Sequence, residues 1–322
     1  MTLTELRYIV ALARERHFGR AAEACFVSQP TLSVAVRKLE EELGVSIFER
    51  NANDLSVTPI GARIVAQAQR ALQESAAVKE IAKSGQDQLS GPLRIGAIYT
   101  IGPYLLPALI PLLHRRAPAM PLIIEENFTA VLAEKLKHGE LDVIIISLPF
   151  EQAGIVTLPL YREPFVVVLP SAHPLTQREA LRPGDLSQQN LLLLGAGHCF
   201  RDQVIDACPD CLARPEDTRE SQRVEGGSLE TIRHMVASGM GITVLPCTAA
   251  GVDRYARRLL VIRRFLGKAP FRDVALAWRE SFPRAQVIEV LRAAVAECNL
   301  TCTDPVPASV RKAARSPRGT RR

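Results

Sequence analysis

Over the first sixty residues apolar side chains recur every three or four positions, interrupted by short polar breaks, which is the signature of short amphipathic helices. In TLTELRYIVALARERH, Leu3, Leu6, Ile9, Val10 and Ala13 share one helix face, with Thr2 placed as its cap. An alanine-rich helix follows, then the break FVSQP, then a helix from about residue 30 to Leu43 that stops at Gly44. Two helices across a tight turn predict a helix-turn-helix, and the two extended pieces around NAND in IFERNANDLSVT predict a wing. From Thr58 one long helix is expected, with Ile60, Ile64, Val65, Ala68, Ala71, Leu72, Val78 and Ile81 on its apolar face. No strand stands nearby to cover that stripe, so it is expected to pack on a second copy of the chain.

Past Ser90-Gly91-Pro92 the period changes. The near-continuous apolar runs LRIGAIYT, MPLIIEENF and LDVIIISLP alternate with amphipathic stretches, which predicts a parallel sheet covered on both faces. A similar alternation runs from FVVVLP through LLLLGAGHC to SLETIRHMVASGMGITVLP, and FRDVALAWR with PRAQVIEVLRAAVAEC is expected to return to the first sheet. The fold class is therefore multi-domain. A winged helix-turn-helix over 1–58 and a linker and dimerisation helix over 59–90 precede a two-lobed α/β domain over 91–302 with a cleft between its lobes. Lobe I is about 91–161 and 266–302, lobe II about 162–265.

Composition changes this picture in three places. No apolar run approaches the roughly 20 residues that cross a bilayer, and charges stand where a signal peptide is apolar, so a soluble, cytoplasmic protein without a membrane partner is expected. The net charge of +6 suggests nucleic acid, but residues 303–322 alone hold six basic residues against one acid. That Pro- and Arg-rich stretch is expected to be a disordered basic tail, and the remainder of the chain is nearly neutral. The seven cysteines are an odd number in a chain with ample apolar material, so a structural disulfide framework is not expected.

Candidate chemistry falls in two places. On the second helix of the helix-turn-helix, Leu32, Ala35, Val36 and Leu39 form an inward stripe and leave Gln29, Thr31, Ser33, Arg37 and Lys38 outside. Amides, hydroxyls and cations of this kind contact base edges and phosphates; Ser28 and Pro30 at the helix start and Arg50 in the wing complete the set. The competing reading is an ordinary solvated face. In the α/β part, ligands collect beyond the carboxyl ends of strands, where Thr100 and Thr129 lie, although Thr129 also suits a helix cap. Cys199 has the same address, after LLLLGAG and at a helix start. That position, a protonated His198 and the nearby Arg201 would all favour a thiolate, against the alternative of an inert buried thiol. If helix separates Cys199 from Cys208, their Cα atoms stand roughly 13 Å apart, and a bond between them would require that helix to unwind. Cys208 and Cys211 form a C-x-x-C that, with His198 and Cys199, offers four zinc ligands, but the gaps do not match the usual paired spacing and no metal or cofactor is expected.

These segments together resemble the LysR-type transcriptional regulators. AAEACFVSQPTLSVAVRKLEEELGVSIFER is similar to their helix-turn-helix; TIGPYLLP, GHCFRDQ with the later Cys208, and SLETIRHMVASGMGITVLP are similar to the hydrogen-peroxide-sensing branch of that family. The resemblance covers about residues 1 to 300 and leaves the tail out. It implies a periplasmic-binding-protein-like regulatory domain, a dimer through the linker helix, and a tetramer. It implies Cys199 as the peroxidatic thiol and Cys208 as its resolving partner, with Cys211 as an alternative. Thr100, Thr129 and His198 would hold the peroxide, and Arg201 and Arg272 would support the thiolate. Double-stranded promoter DNA, RNA polymerase, hydrogen peroxide as the signal and a thiol reductant for reset are the implied partners. A regulator sensing an organic effector in the cleft and a thiol peroxidase are the alternative functions, but an enzyme has no evident use for a helix-turn-helix.

Overall fold

The computed structural model describes residues 1–51, 54–84, 87–209, 225–251, 256–300 and 302–306. It divides into two compact units, the first formed mainly by residues 1–87. There, α1 (Leu3–Glu15), α2 (Phe18–Ala24) and α3 (Gln29–Leu43) are followed by the antiparallel hairpin β1 (Phe48–Asn51) and β2 (Asp54–Val57), then by α4 (Pro59–Ser84). Each short helix has a local reason to start. Thr2 and Glu5 form a reciprocal capping box on α1, the His17 ring accepts from the first amides of α2, and Ser28 caps α3 with Pro30 in its first turn. Gly44 ends α3 in the left-handed region, φ 67°.

Leu6, Ile9, Leu12, Ala21, Leu32, Val36, Leu39 and Ile47 are the centre of this unit's core. Helix α1 is buried more widely than one stripe, because both α2 and α4 lie against it; Tyr8 and Ala11 are buried as well, while Leu3 is exposed. Helix α4 spends part of its stripe within its own chain. Ile64, Val65, Ala68, Ala71 and Leu72 pack on this core, leaving Ile60 and Val78 exposed. Of these five only Ala68 is fully buried.

The second unit carries a mixed sheet in the order β4-β3-β5-β12-β6-β11-β7. Its elements are β3 (Leu93–Ile98), α5 (Gly102–Arg116), β4 (Leu122–Asn127), α6 (Thr129–His138), β5 (Val143–Ser147), β6 (Ile155–Pro170), β7 (Ala180–Leu181), β8 (Leu193–Leu194), α7 (Cys199–Ala207), β9 (Glu225–Gly226), α8 (Leu229–Ala237), β10 (Thr243–Pro246), α9 (Cys247–Ala250), α10 (Ala256–Leu259), β11 (Leu260–Phe265), β12 (Phe271–Arg279), α11 (Ala285–Glu297) and β13 (Asp304–Pro305). Strand β3 pairs parallel with β4 and β5, as the pattern predicts, and β12 returns between β5 and β6. The sheet is not parallel throughout, since β12 runs against both its neighbours and β10 and β11 run against β6. Strand β6 serves both halves: its first part pairs with β12, its last with β10 and β11. The first residues assigned to the basic tail belong to the folded unit, since β13 pairs with β6 and Val306 is buried; residues 307–322 lie outside the described residues. No helix among the described residues is long and apolar enough to cross a membrane.

The start of α4 is welded to the entry of the wing. Thr58 donates from its amide to the Ile47 carbonyl and from its hydroxyl to the Ser46 carbonyl, and the Gly61 amide donates to the Thr58 hydroxyl oxygen. A Cβ at Gly61 would stand 2.1 Å from the Ile47 carbonyl oxygen. Gly61→Ala is therefore expected to destabilise the N-terminal unit by about 1–3 kcal/mol through overpacking, measured by denaturant unfolding of the full chain with a probe in that unit.

Candidate functional site

In the first unit, α3 turns Ser28, Gln29, Pro30, Thr31, Arg37 and Lys38 outward, with Ser33 half-buried. The Ser28 hydroxyl oxygen accepts the Thr31 amide and lies 2.8 Å from the Thr31 hydroxyl, so these two residues also build the helix start. Arg37 reaches Glu41 on its own helix at 3.0 Å, an exposed pair of small worth that leaves the guanidinium available for exchange. Arg50 is placed by its backbone in β1, opposite Leu55; its side chain lies outside the described residues. Two features were not foreseen. Glu40 turns inward and accepts the Ile47 and Phe48 amides, fixing the wing to α3. Phe26, in the turn before α3, is 95% exposed and sits at φ 58°; a turn residue falls outside any helical or strand period, so the pattern gives no sign of it.

The second unit brings together four of the residues singled out from the sequence. Thr100 follows β3, Thr129 opens α6 after β4, and His198 and Cys199 open α7. All four line one small pocket, with Ile98, Tyr99, Asn127, Phe128 and Gly197. Thr129 is the first residue of its helix rather than its cap. Gly197 makes the turn possible, having φ 94° and a missing Cβ that would come within 3.4 Å of the Phe128 ring. The His198 ring then packs edge-on against Phe128 at 4.7 Å and Tyr99 at 5.9 Å. Burial lowers the His198 pKa below its ordinary value, because the imidazolium loses water there. The expectation of a protonated His198 is corrected accordingly: a neutral imidazole offers one donor and one acceptor, not a charge. Cys199 is the first residue of α7 and so stands beside the unpaired amides of that helix terminus.

The arginines stand further back. Arg272 is buried and donates to the Thr100 hydroxyl oxygen and to the Thr100 carbonyl, each at 2.8 Å, and to Glu163 at 2.7 Å. Glu163 in turn accepts from the amide and hydroxyl of Thr248. Arg272 thus reaches the pocket through Thr100. Arg201 donates to the Leu194 carbonyl and to Glu225, both at 2.6 Å, tying α7 to the β8–β9 pair, and it is not among the pocket-lining residues. Glu163 was missed, although a carboxylate in the apolar run of β6 is itself a signal of a buried ion pair.

Cys208 caps the far end of α7 and is buried in the core that contains Phe200 and Val204. The two thiols are not joined by a disulfide in this structure, and nine helical residues hold them roughly 13 Å apart. His198 and Cys199 at one end of α7 and Cys208 at the other cannot share one metal ion; Cys211 lies outside the described residues. One disulfide is present where none was expected. Cys247 and Cys302, 55 positions apart in sequence, are bonded with their Cα atoms 6.1 Å apart.

A helix-turn-helix unit with an outward polar recognition face, followed by an α/β unit with a cysteine-lined pocket, defines a DNA-binding regulator with a sensing domain. The chain belongs to the LysR family: residues 3–62 match the bacterial regulatory helix-turn-helix protein of the lysR family, and residues 86–298 the LysR substrate binding domain. Its relatives within that family are OxyR proteins. It is 41% identical over 295 residues to the DNA-binding transcriptional dual regulator OxyR of Escherichia coli K12, covering 92% of this chain and 95% of that one. It is 41% identical to the hydrogen peroxide-inducible genes activator of Dickeya chrysanthemi, over 92% of this chain and 95% of that one. Among solved structures it is similar to a full-length OxyR from Pseudomonas aeruginosa, at 55% identity and TM-score 0.73 over 95% of this chain and 99% of that one.

The Arg272–Glu163 pair lets the network behind the pocket be tested. Arg272→Met strands a buried carboxylate and is expected to cost the second unit about 3–5 kcal/mol, read by urea unfolding, while adding Glu163→Leu should restore most of the loss.

Proposed function

We propose that this chain is a cytoplasmic, peroxide-responsive transcription factor in which oxidation of Cys199 alters DNA binding. The observation that carries the reading is the arrangement of α7: a half-exposed thiol at its N-terminus, inside a pocket of neutral hydrogen-bonding groups, and a second thiol buried at its other end. The Thr100 hydroxyl accepts from Arg272 and so keeps its own proton to donate into the pocket. With Thr129 and neutral His198 it would orient hydrogen peroxide against the sulfur. The Cys199 thiolate attacks one peroxide oxygen, the O–O bond breaks, hydroxide leaves to become water, and the sulfur becomes a sulfenic acid. The Cys208 thiol, or Cys211 as the alternative, then attacks that sulfur, expelling water and forming the disulfide. Arg272 is a positioning residue acting through Thr100, and Arg201 supports the thiolate from the rim while fixing the start of α7.

In this reading, residues 1–58 bind promoter DNA, 59–90 dimerise, and 91–302 sense. The two sheet halves that share β6 are the two lobes, about 91–161 with 266–302 and about 162–265. Ser28, Gln29, Pro30, Thr31, Ser33, Arg37, Lys38 and Arg50 face the DNA, the first of these by way of an α3 N-terminus set in the major groove. Unwinding α7 repacks the second lobe and changes the spacing of the DNA-binding heads in a tetramer, which alters contact with RNA polymerase. Cellular thiols reset the bridge, so the protein reacts once per signal and is not a turnover enzyme. The relatives named as hydrogen peroxide-inducible genes activators support this assignment.

Cys199→Ser is expected to bind promoter DNA with affinity within about twofold of the parent and to lose its peroxide response, measured by electrophoretic mobility shift and footprinting with and without peroxide. A retained response would contradict the proposal.

A further inference from the structure

The Cys247–Cys302 pair lies outside the thiol pair used above. It joins segments distant in sequence that meet on one stretch of β6: Cys247 opens α9 directly after β10, whose last residue pairs with Phe165 of β6, and Cys302 precedes β13, which pairs with Arg162 and Tyr161 of the same strand. Both cysteines are half-buried, so oxidants and reductants can reach them. The Cα separation of 6.1 Å lies within the range a disulfide accepts without movement of the backbone. The Cys302 carbonyl oxygen lies 3.0 Å from the Cys247 sulfur, where it would accept the thiol proton once the bond is reduced.

The next residue leads to the pocket. Thr248 holds Glu163 by its amide at 3.1 Å and by its hydroxyl, Glu163 holds Arg272 at 2.7 Å, and Arg272 holds both oxygens of Thr100 at 2.8 Å. Glu163, Arg272 and Thr100 are buried, so this chain of charge-assisted bonds is short of alternative partners and shifts as a whole. Whatever fixes the start of α9 therefore bears on the hydroxyl that faces Cys199.

We propose that Cys247 and Cys302 form a second dithiol–disulfide couple, distinct from Cys199 and Cys208, whose oxidised form pins the start of α9 and thereby keeps Thr100 set for reaction at Cys199. In a reducing compartment a bond of this kind is transient and records recent oxidation. One of the two thiolates attacks hydrogen peroxide, the O–O bond breaks and the released hydroxide is protonated to water. The second thiolate displaces hydroxide from the resulting sulfenic acid, giving the S–S bond and a second water. The two sulfurs together lose two electrons, peroxide gains them, and the two thiol protons end in the two waters. The effect on Cys199 rests on the peroxide reading of the pocket, but formation of the bond does not.

The experiment uses the full chain in two parts. After reduction and then exposure to excess hydrogen peroxide, thiol trapping and non-reducing digestion followed by mass spectrometry should give a Cys247–Cys302 cross-linked peptide in the parent and equally in Cys199→Ser. Recovery of Cys247 and Cys302 as trapped thiols would overturn the couple. In a Cys208→Ser, Cys211→Ser background, with the Cys247–Cys302 bond verified by mass, capture of the Cys199 sulfenic acid by a dimedone-type probe should be at least about threefold faster than in the same background with Cys247→Ser or with Cys302→Ser. Equal rates in all three would overturn the coupling. A chain in which Cys199 is never oxidised would instead overturn the peroxide reading, and the cross-link in Cys199→Ser would still decide the second couple. Two variants on opposite sides of the bond guard against a folding defect in either.

Discussion

The separation that α7 imposes on its two thiols governs the behaviour of the sensing unit. Nine helical residues place the Cα atoms of Cys199 and Cys208 roughly 13 Å apart, whereas a disulfide requires about 7 Å or less. The helix is not free to give way. Phe200 packs edge-on against Phe165 at 5.0 Å, Val204 is buried, and Gln203 donates to the Ser147 hydroxyl at the end of β5. Exposing each large apolar side chain costs about 1.5–3 kcal/mol, so a form bridged between Cys199 and Cys208 would have to be packed differently rather than reached by a small adjustment. In the proposed switch, a covalent bond between the two ends of the helix would become a choice between two structures.

The pocket uses charge sparingly. Cys199 shares its pocket with hydroxyls, rings and a neutral imidazole, at the N-terminus of its helix. The full charges are set back: Arg272 is matched against Glu163 in the interior and aims Thr100 forward, while Arg201 is committed to Glu225 and the Leu194 carbonyl. A buried ion pair of this kind is weak as a source of stability but strong as a constraint on geometry, since moving either partner strands the other. It holds one hydroxyl in place without bringing a salt bridge into contact with the sulfur.

Much of this was legible in the sequence because it is local. Thr2, Ser28, Pro30 and Gly44 bound their helices through chemistry within a few residues, and Thr100, Thr129 and Cys199 could be assigned to one rim because they follow apolar strands. What was hidden depends on partners distant in the chain. Periodicity shows that a face is apolar but not what packs on it: the middle of the α4 stripe is half-buried against the N-terminal core, a partner that its spacing does not name. A strand buried on both faces reads alike in either direction, which is why β10, β11 and β12 were not seen to run antiparallel to β6. His198 looked cationic beside a thiol until the rings of Phe128 and Tyr99 removed its water, and nothing in the spacing of Cys247 and Cys302 joins them.

Hydrogen exchange of α7 with and without peroxide decides whether bridging its two thiols unwinds the helix. In the reduced full chain the amides of the Cys199–Ala207 helix should be protected. After peroxide, in the fraction whose mass shows the Cys199–Cys208 bridge, that protection should be lost across the segment while β3 and β5 retain theirs. A bridged protein with α7 protected as before would contradict that unwinding, since the helix would then have accommodated a bond that its length forbids.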